Sequence, residues 1–168
     1  FTLPASVATV GEYAFCGNYG ITSVTIPAQL TTLADGMFAQ CKNLTKVTLH
    51  DQVTEIGGYA FRKCEALEGI NLPASVTTLG EACFAETGLK KIVLPSALTK
   101  IPDYCFYGDR ALTEITVPAS VTGAGSFAFY QTTALKKLDL VDVRELGSYA
   151  LVGSAVDTLR ADHLETVG

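Results

Sequence analysis

One pattern occupies nearly the whole chain and limits what it can fold into. Laid under one another, the units begin at Phe1, Val24, Val47, Ile70, Ile92, Ile115, Leu138 and Leu159, at spacings of 23, 23, 23, 22, 23, 23 and 21 residues. Seven units are present and an eighth is cut short. They share L-x-x-[IV]-x-[IL]-P-x-x-[VL]-x-x-[IL]-G-x-x-A-F, seen in LTEITVPASVTGAGSFAF and again in LEGINLPASVTTLGEACF. Self-similarity at this period marks a stacked array. Energetics demand the same answer: about six core side chains per unit supply roughly 1.5 to 3 kcal/mol each. Ordering a unit's backbone costs about 1 to 2 kcal/mol for every residue, so a single unit cannot stand and each must share its core with neighbours.

Within a unit, Leu44 to Leu49 (LTKVTL) alternates apolar and polar residues and reads as a short, half-buried strand. Pro27, Pro73, Pro95 and Pro118 close it, because proline cannot donate to a sheet ladder and marks where the chain turns a corner. Glu12, Asp35, Glu81, Asp103, Ser126 and Ser148 share a column before the Ala-Phe pair. Acids and serines there suit the N-terminus of a single helical or 3-10 turn. The expected fold is therefore mainly β: one solenoid domain over residues 1–168, parallel strands with short helical or 3-10 turns, about seven and a half repeats of 23 residues.

Gly123-Ala124-Gly125-Ser126-Phe127-Ala128 spells the G-x-G-x-x-A loop of dinucleotide-binding domains. The repeat explains it better. Gly125 falls in the column Gly11, Ala34, Gly57, Gly80, Pro102, Gly125, Gly147. A column that accepts proline has φ near −65°, so its glycines serve close packing. Gly123 stands where other units have Thr9, Thr32, Glu55 and Thr78, and no βαβ unit surrounds it. No cofactor is expected.

The residues L-x-x-[IV]-x-[IL]-P and [IL]-G-x-x-A-F-x-x-C resemble the BspA-type leucine-rich repeat, a family of large cell-surface proteins of bacteria and some parasitic protozoa. The resemblance covers essentially the whole chain and departs in the last full unit, where LDLVDV lacks the proline and one residue and Leu151 replaces Phe; His50 also sits in the proline column. It implies an α/β-type leucine-rich-repeat solenoid, extracellular or on the cell surface, used in adhesion or partner binding. It implies no catalytic residue, because the shared positions are structural.

The remaining chemistry is sparse. Cys41 and Cys64 share a column with Asn18, Thr87, Asp109, Thr132 and Ser154, small side chains able to satisfy backbone groups inside the turn. A Cys41–Cys64 bridge is not excluded by the spacing of adjacent strands. Cys83 and Cys105 replace Ala14, Ala60 and Ala128 and read as small buried hydrophobes. His50 and His163 are the only histidines, too few for a zinc site, and no nucleophile elbow occurs, so neither metal nor enzyme chemistry is expected. Asn43-Leu44-Thr45 is a glycosylation sequon whose middle residue is a core position. The chain opens on FTLPASV without an initiator Met and stops on HLETVG, so it reads as a piece excised from a longer chain. It contains no apolar stretch long enough to insert in a membrane.

A net charge of −5 argues against a general grip on nucleic acid. The outward strand positions depart from that balance: they carry six basic and four acidic residues, a face of +2 that leaves −7 on the remainder. Lys46, Lys90, Lys91, Lys136 and Lys137 form its cluster, a candidate binding patch for an acidic protein or glycan. Lysine also guards solvated sheets against edge pairing, and that reading stands beside the first. Tyr107 and Tyr130 occupy one column in neighbouring units and offer either a ligand platform or mutual packing. The leading function is a non-catalytic binding or adhesion module for a host or matrix protein or glycan; the alternative is a structural spacer that holds other domains away from the cell.

Overall fold

The computed structural model describes residues 1–168 and contains strands and turns but no helix. Most units contribute two short strands; the first contributes none and the fourth only its second. The first set is β1 (Ser23–Thr25), β3 (Lys46–Thr48), β6 (Lys91–Val93), β8 (Glu114–Thr116), β10 (Lys137–Asp139) and β12 (Thr158–Arg160). The second is β2 (Thr32–Leu33), β4 (Glu55–Ile56), β5 (Thr78–Leu79), β7 (Lys100–Ile101), β9 (Gly123–Ala124), β11 (Glu145–Leu146) and β13 (Thr166–Val167). All pairing is parallel between successive units, in the repeat's own register: Val24 opposite Val47, Ile92 opposite Ile115, Leu138 opposite Leu159. Glycine replaces a strand residue in the fourth unit, and there only an isolated bridge, Gly69 to Lys91, survives.

The proline corner forms as the sequence predicts. In every full unit the carbonyl at or beside the proline column accepts the amide three residues on, as in Leu30 to Pro27 at 2.9 Å, Val53 to His50 at 3.1 Å and Val143 to Leu140 at 3.1 Å. The last full unit thus keeps the corner without the proline. His50 fits because its ring substitutes for missing structure: Nδ1 accepts the Gln52 amide at 3.2 Å and Nε2 lies 3.1 Å from the Leu30 carbonyl. That pair of contacts places the ring proton on Nε2.

The turn after the second strand is where expectation and structure part. It is not helical. Positive φ recurs at two columns four residues apart, for example Tyr59 (58°) and Lys63 (60°), Tyr104 (57°) and Gly108 (70°), Phe127 (57°) and Gln131 (55°). Such a residue at the third position of a turn is the signature of a type II geometry. It reorients alternate peptides so that their amides point along the solenoid axis. Tyr59, Phe61 and Lys63 donate to the carbonyls of Glu81, Cys83 and Ala85 in the next unit at 2.8, 2.9 and 2.9 Å. Between them, Ala60, Arg62 and Cys64 close turns within the unit. A helical turn would have kept all these bonds local and left the units unjoined on this side. The left-handed positions cost about 1 to 2 kcal/mol each for non-glycine residues, offset by the inter-unit bonds they permit.

The two aspartates of the acid column therefore cap the neighbouring unit, not a helix. Asp35 accepts the Gly58 amide at 2.7 Å and Asp103 the Ser126 amide at 2.8 Å. The glycine column is tight packing, as expected: none of its members has positive φ. A Cβ on Gly57 would lie 2.6 Å from the Leu33 carbonyl, and one on Gly125 would collide with Asp103. Gly123 and Gly125 thus belong to strand β9 and an inter-unit contact.

A continuous core of 40 buried residues runs from Leu3 to Ala150. Its spine is a stack of phenylalanines: Phe38, Phe61, Phe84, Phe106 and Phe129 lie with centroids 5.7 to 5.9 Å apart, and all five are fully buried.

Candidate functional site

The five lysines stand where the alternation of the first strands puts them, all exposed. Lys46, Lys91 and Lys137 lie in β3, β6 and β10, with Lys90 and Lys136 one residue ahead. Their charge is largely answered locally. Lys90 pairs with Glu68 at 2.7 Å, Lys91 with Glu114 at 2.7 Å and Lys137 with Asp139 at 2.8 Å, while Lys46 and Lys136 make no ion pair. The Lys91–Glu114 pair follows from register, since these residues are directly opposite across β6 and β8. All the partners are well exposed, so each pair is worth little in stability.

Tyr107 and Tyr130 stack on each other at 5.0 Å with planes 3° apart, the mutual packing weighed from the sequence. The structure adds a second aromatic column that sequence reading overlooked: Tyr104, Phe127 and Tyr149 stack at 4.8 and 5.0 Å. These residues sit at the positive-φ position directly after the acid column. The signal was present, because Tyr13 and Tyr59 occupy the same column, making five aromatics in seven units. The two columns tilt toward each other by 53° at Tyr104–Tyr107 and 58° at Phe127–Tyr130, forming a V-shaped groove. At its end a cleft of about 610 Å³ opens, where Ala82 and Ala85 stand in the two columns. Tyr59, Arg62, Glu81 and Glu86 border it. The Tyr59 hydroxyl donates to Glu81 at 2.7 Å, which pushes its pKa up. Glu86 accepts from Arg62 at 3.2 Å and faces Lys63 at 3.7 Å.

Inside the turn the small-residue ladder forms. The Cys41 and Cys64 thiols donate to the Phe15 and Phe38 carbonyls at 3.1 and 3.2 Å, and Thr132 to Phe129 at 2.9 Å. All five cysteines are free thiols. Burial pushes the Cys41 thiol up and the Cys64 thiol well up, so both stay protonated donors. Cys83 and Cys105 are buried, as their alanine column implies, with sulfurs 3.8 Å apart. The Asn43 amide of the sequon donates to the Tyr19 carbonyl at 2.8 Å.

The aligned ladders, the phenylalanine spine and the thiol ladder are the features that carried the sequence resemblance. The sequence model described as BspA type leucine rich repeat region matches in six copies, over residues 1–113 and 34–157. The chain belongs to the BspA-type leucine-rich repeat family. Among solved structures, this BspA-type chain is similar to a leucine rich cell surface protein from Faecalibacterium prausnitzii, with 29% identity and a TM-score of 0.81 over 96% of this chain. The chain spans 47% of that protein's length. A leucine-rich repeat protein from T. pallidum (24% identity, TM-score 0.65, 80% of this chain and 76% of that one) shares the fold. So does one from Bacteroides ovatus (24%, 0.57, 91% and 58%). No curated protein matches.

Proposed function

We propose that this BspA-type segment is a non-catalytic binding module of a cell-surface protein, presenting its strand side to an acidic protein or glycan. The observation that carries this reading is the repeated exposed array on the first strands, where threonine and lysine recur at fixed spacing on a backbone held in register by the units beneath. A rigid surface of this kind loses little conformational freedom on binding, which favours affinity. Surface placement is supported by family membership and by the cell-surface protein it resembles. The positions that define the family pattern are packing and hydrogen-bonding positions, so none supplies a nucleophile or general base.

One observation favours the spacer reading: three of the five lysines are already paired with carboxylates. Capture of the isolated chain on immobilised matrix proteins and acidic glycans, measured over a salt series, separates the two. Binding that weakens with salt and is lost in Lys46→Glu and Lys136→Glu, the unpaired pair, supports the module. Absence of capture from every surface supports the spacer.

A further inference from the structure

The cleft at Ala82 and Ala85 is an interruption in an otherwise stacked surface. Of the rings in the two columns only Phe127 is covered on both faces, by Tyr104 and Tyr149. At the cleft the stacks end, and Tyr104 and Tyr107 each have one face with no ring against it, since Tyr104 stacks only toward Phe127 and Tyr107 only toward Tyr130. The columns also carry small residues in the second unit, at Gly36 and Ala39, but there the Tyr13 ring occupies the space a Gly36 side chain would take. The fourth-unit gap stays open. The cleft that includes it extends along the groove as far as Phe127 and Tyr130, and its volume, about 610 Å³, lies within the range of small-molecule sites.

The border decides which chemistry fits. Its floor is apolar, made by the buried Ala82 and Ala85. Around it stand two carboxylates, Glu81 and Glu86, and the Arg62 guanidinium; Lys63, outside the lining but 3.7 Å from Glu86, brings the cluster to no net charge. Each carboxylate retains acceptor sites beyond its present partners, and the guanidinium retains donors. A cationic guest would meet Arg62 and Lys63, and an anionic one Glu81 and Glu86. A wholly apolar ring would strip water from charged groups and return no hydrogen bonds. What remains is a neutral group with one flat apolar face to lie on a tyrosine and a rim of groups that both donate and accept.

We propose that this cleft binds a neutral pyranose of a glycan, its C–H face against Tyr104 or Tyr107 and its hydroxyls shared among Glu81, Glu86 and Arg62. The proposal rests on the reading of this chain as a binding module but uses the turn side of the solenoid, away from the lysine array.

The test is titration of the full chain with cellobiose, lactose and N,N′-diacetylchitobiose, followed by tyrosine fluorescence, which is clean here because the chain has seven tyrosines and no tryptophan. At least one disaccharide should give a saturable change at millimolar concentration, and salt should leave it unaltered because the ligand is uncharged. Ala82→Tyr should weaken binding by about tenfold or more, roughly 1.4 kcal/mol, by restoring the missing ring. Ala82 has φ 52°, close to the 57° and 58° at which Tyr104 and Tyr59 sit, so the backbone accepts the substitution. Ala85→Tyr blocks the cleft from the second column and serves if the first variant melts early. No saturable response from any of the three sugars, or a response that survives both variants, overturns the proposal. So does an arginine-rich or tyrosine-rich peptide that binds in a manner blocked by Ala82→Tyr while the sugars do not. Because the lysine variants lie on the other side, salt-sensitive capture that persists while sugar binding is absent removes the cleft alone.

Discussion

On the strand side, successive units are joined by two or three residues of parallel ladder under an outer layer of threonine and paired charges. On the turn side the same units are joined by amides aimed along the axis from left-handed residues, over a spine of buried phenylalanine. Only 11 of the 89 backbone hydrogen bonds lie within the strands, so the ladders alone do not hold the array together. The difference teaches where mutations should matter. The strand surface is an interchangeable coat, whereas the turn side combines core packing, backbone strain and polar satisfaction in every unit.

The largest effect is expected at the spine. Phe61→Ala or Phe84→Ala removes a fully buried ring held between two others and should cost about 3 to 5 kcal/mol, read by thermal or denaturant melting. A loss under 1 kcal/mol would mean that neighbouring units repack around the gap, and the contrast between the two sides would weaken.

Next comes the single charged member of the turn ladder. Asp109 is fully buried; its Oδ1 accepts the Thr87 amide and hydroxyl at 2.6 and 3.0 Å, and its Oδ2 has no partner. Desolvation raises its pKa well above the usual carboxylate range; the Thr87 bonds oppose the shift, and Glu86 adds to it. Burial, with the Cys83 sulfur 3.8 Å away, keeps the nearby Cys105 thiol protonated. The sign follows directly. With the folded pKa above the unfolded one, stability is greatest below about pH 4 for this group and falls as pH climbs toward the raised value. Asp109→Asn, which keeps the shape and supplies a donor, should remove that decline and stabilise the chain at neutral pH by about 1 to 3 kcal/mol. Melting at pH 5 and pH 8 checks it: an unchanged pH slope in the variant would place the charge elsewhere.

The solenoid, its register, the proline corner and the tight glycines were legible in the sequence because each is dictated by residue type at a fixed column. The turn geometry was not. Acids and serines favour both a helix N-terminus and any other array of free amides, and residues such as Tyr59 or Phe127 give no local sign of positive φ, which the inter-unit bonds impose. Of the candidate residues, the exposure of the lysines and the stacking of Tyr107 on Tyr130 follow from their columns. The Tyr104–Phe127–Tyr149 stack was less legible, because its column, two residues ahead of the spine phenylalanine, also carries Gly36 and Ala82. The ion pairs were hidden for another reason: Lys91 and Glu114 are 23 residues apart, and only the register makes them neighbours.

A smaller effect is expected at the surface of the turn side. Tyr130→Ala unstacks Tyr107 and shortens the groove without opening the core, and should cost about 0.5 to 1.5 kcal/mol. A cost equal to that of the phenylalanines would make the outer columns part of the spine.

The smallest effect belongs to the strand coat. Lys91→Glu sets two carboxylates opposite each other across β6 and β8, where both side chains are largely in water, and Lys137→Glu sets one beside Asp139, which is half-buried with its Oδ1 covered. Exposed pairs of this kind contribute about 0 to 1 kcal/mol, so the Lys91 reversal should shift stability by roughly 0.5 kcal/mol, the Lys137 reversal by somewhat more, and both shifts should diminish as salt rises. That small cost lets function be read cleanly: if capture of an acidic partner falls while melting stays put, the loss comes from the face and not from the fold. A reversal costing several kcal/mol would show that the ladders depend on these pairs and that the strand side is as structural as the turn side.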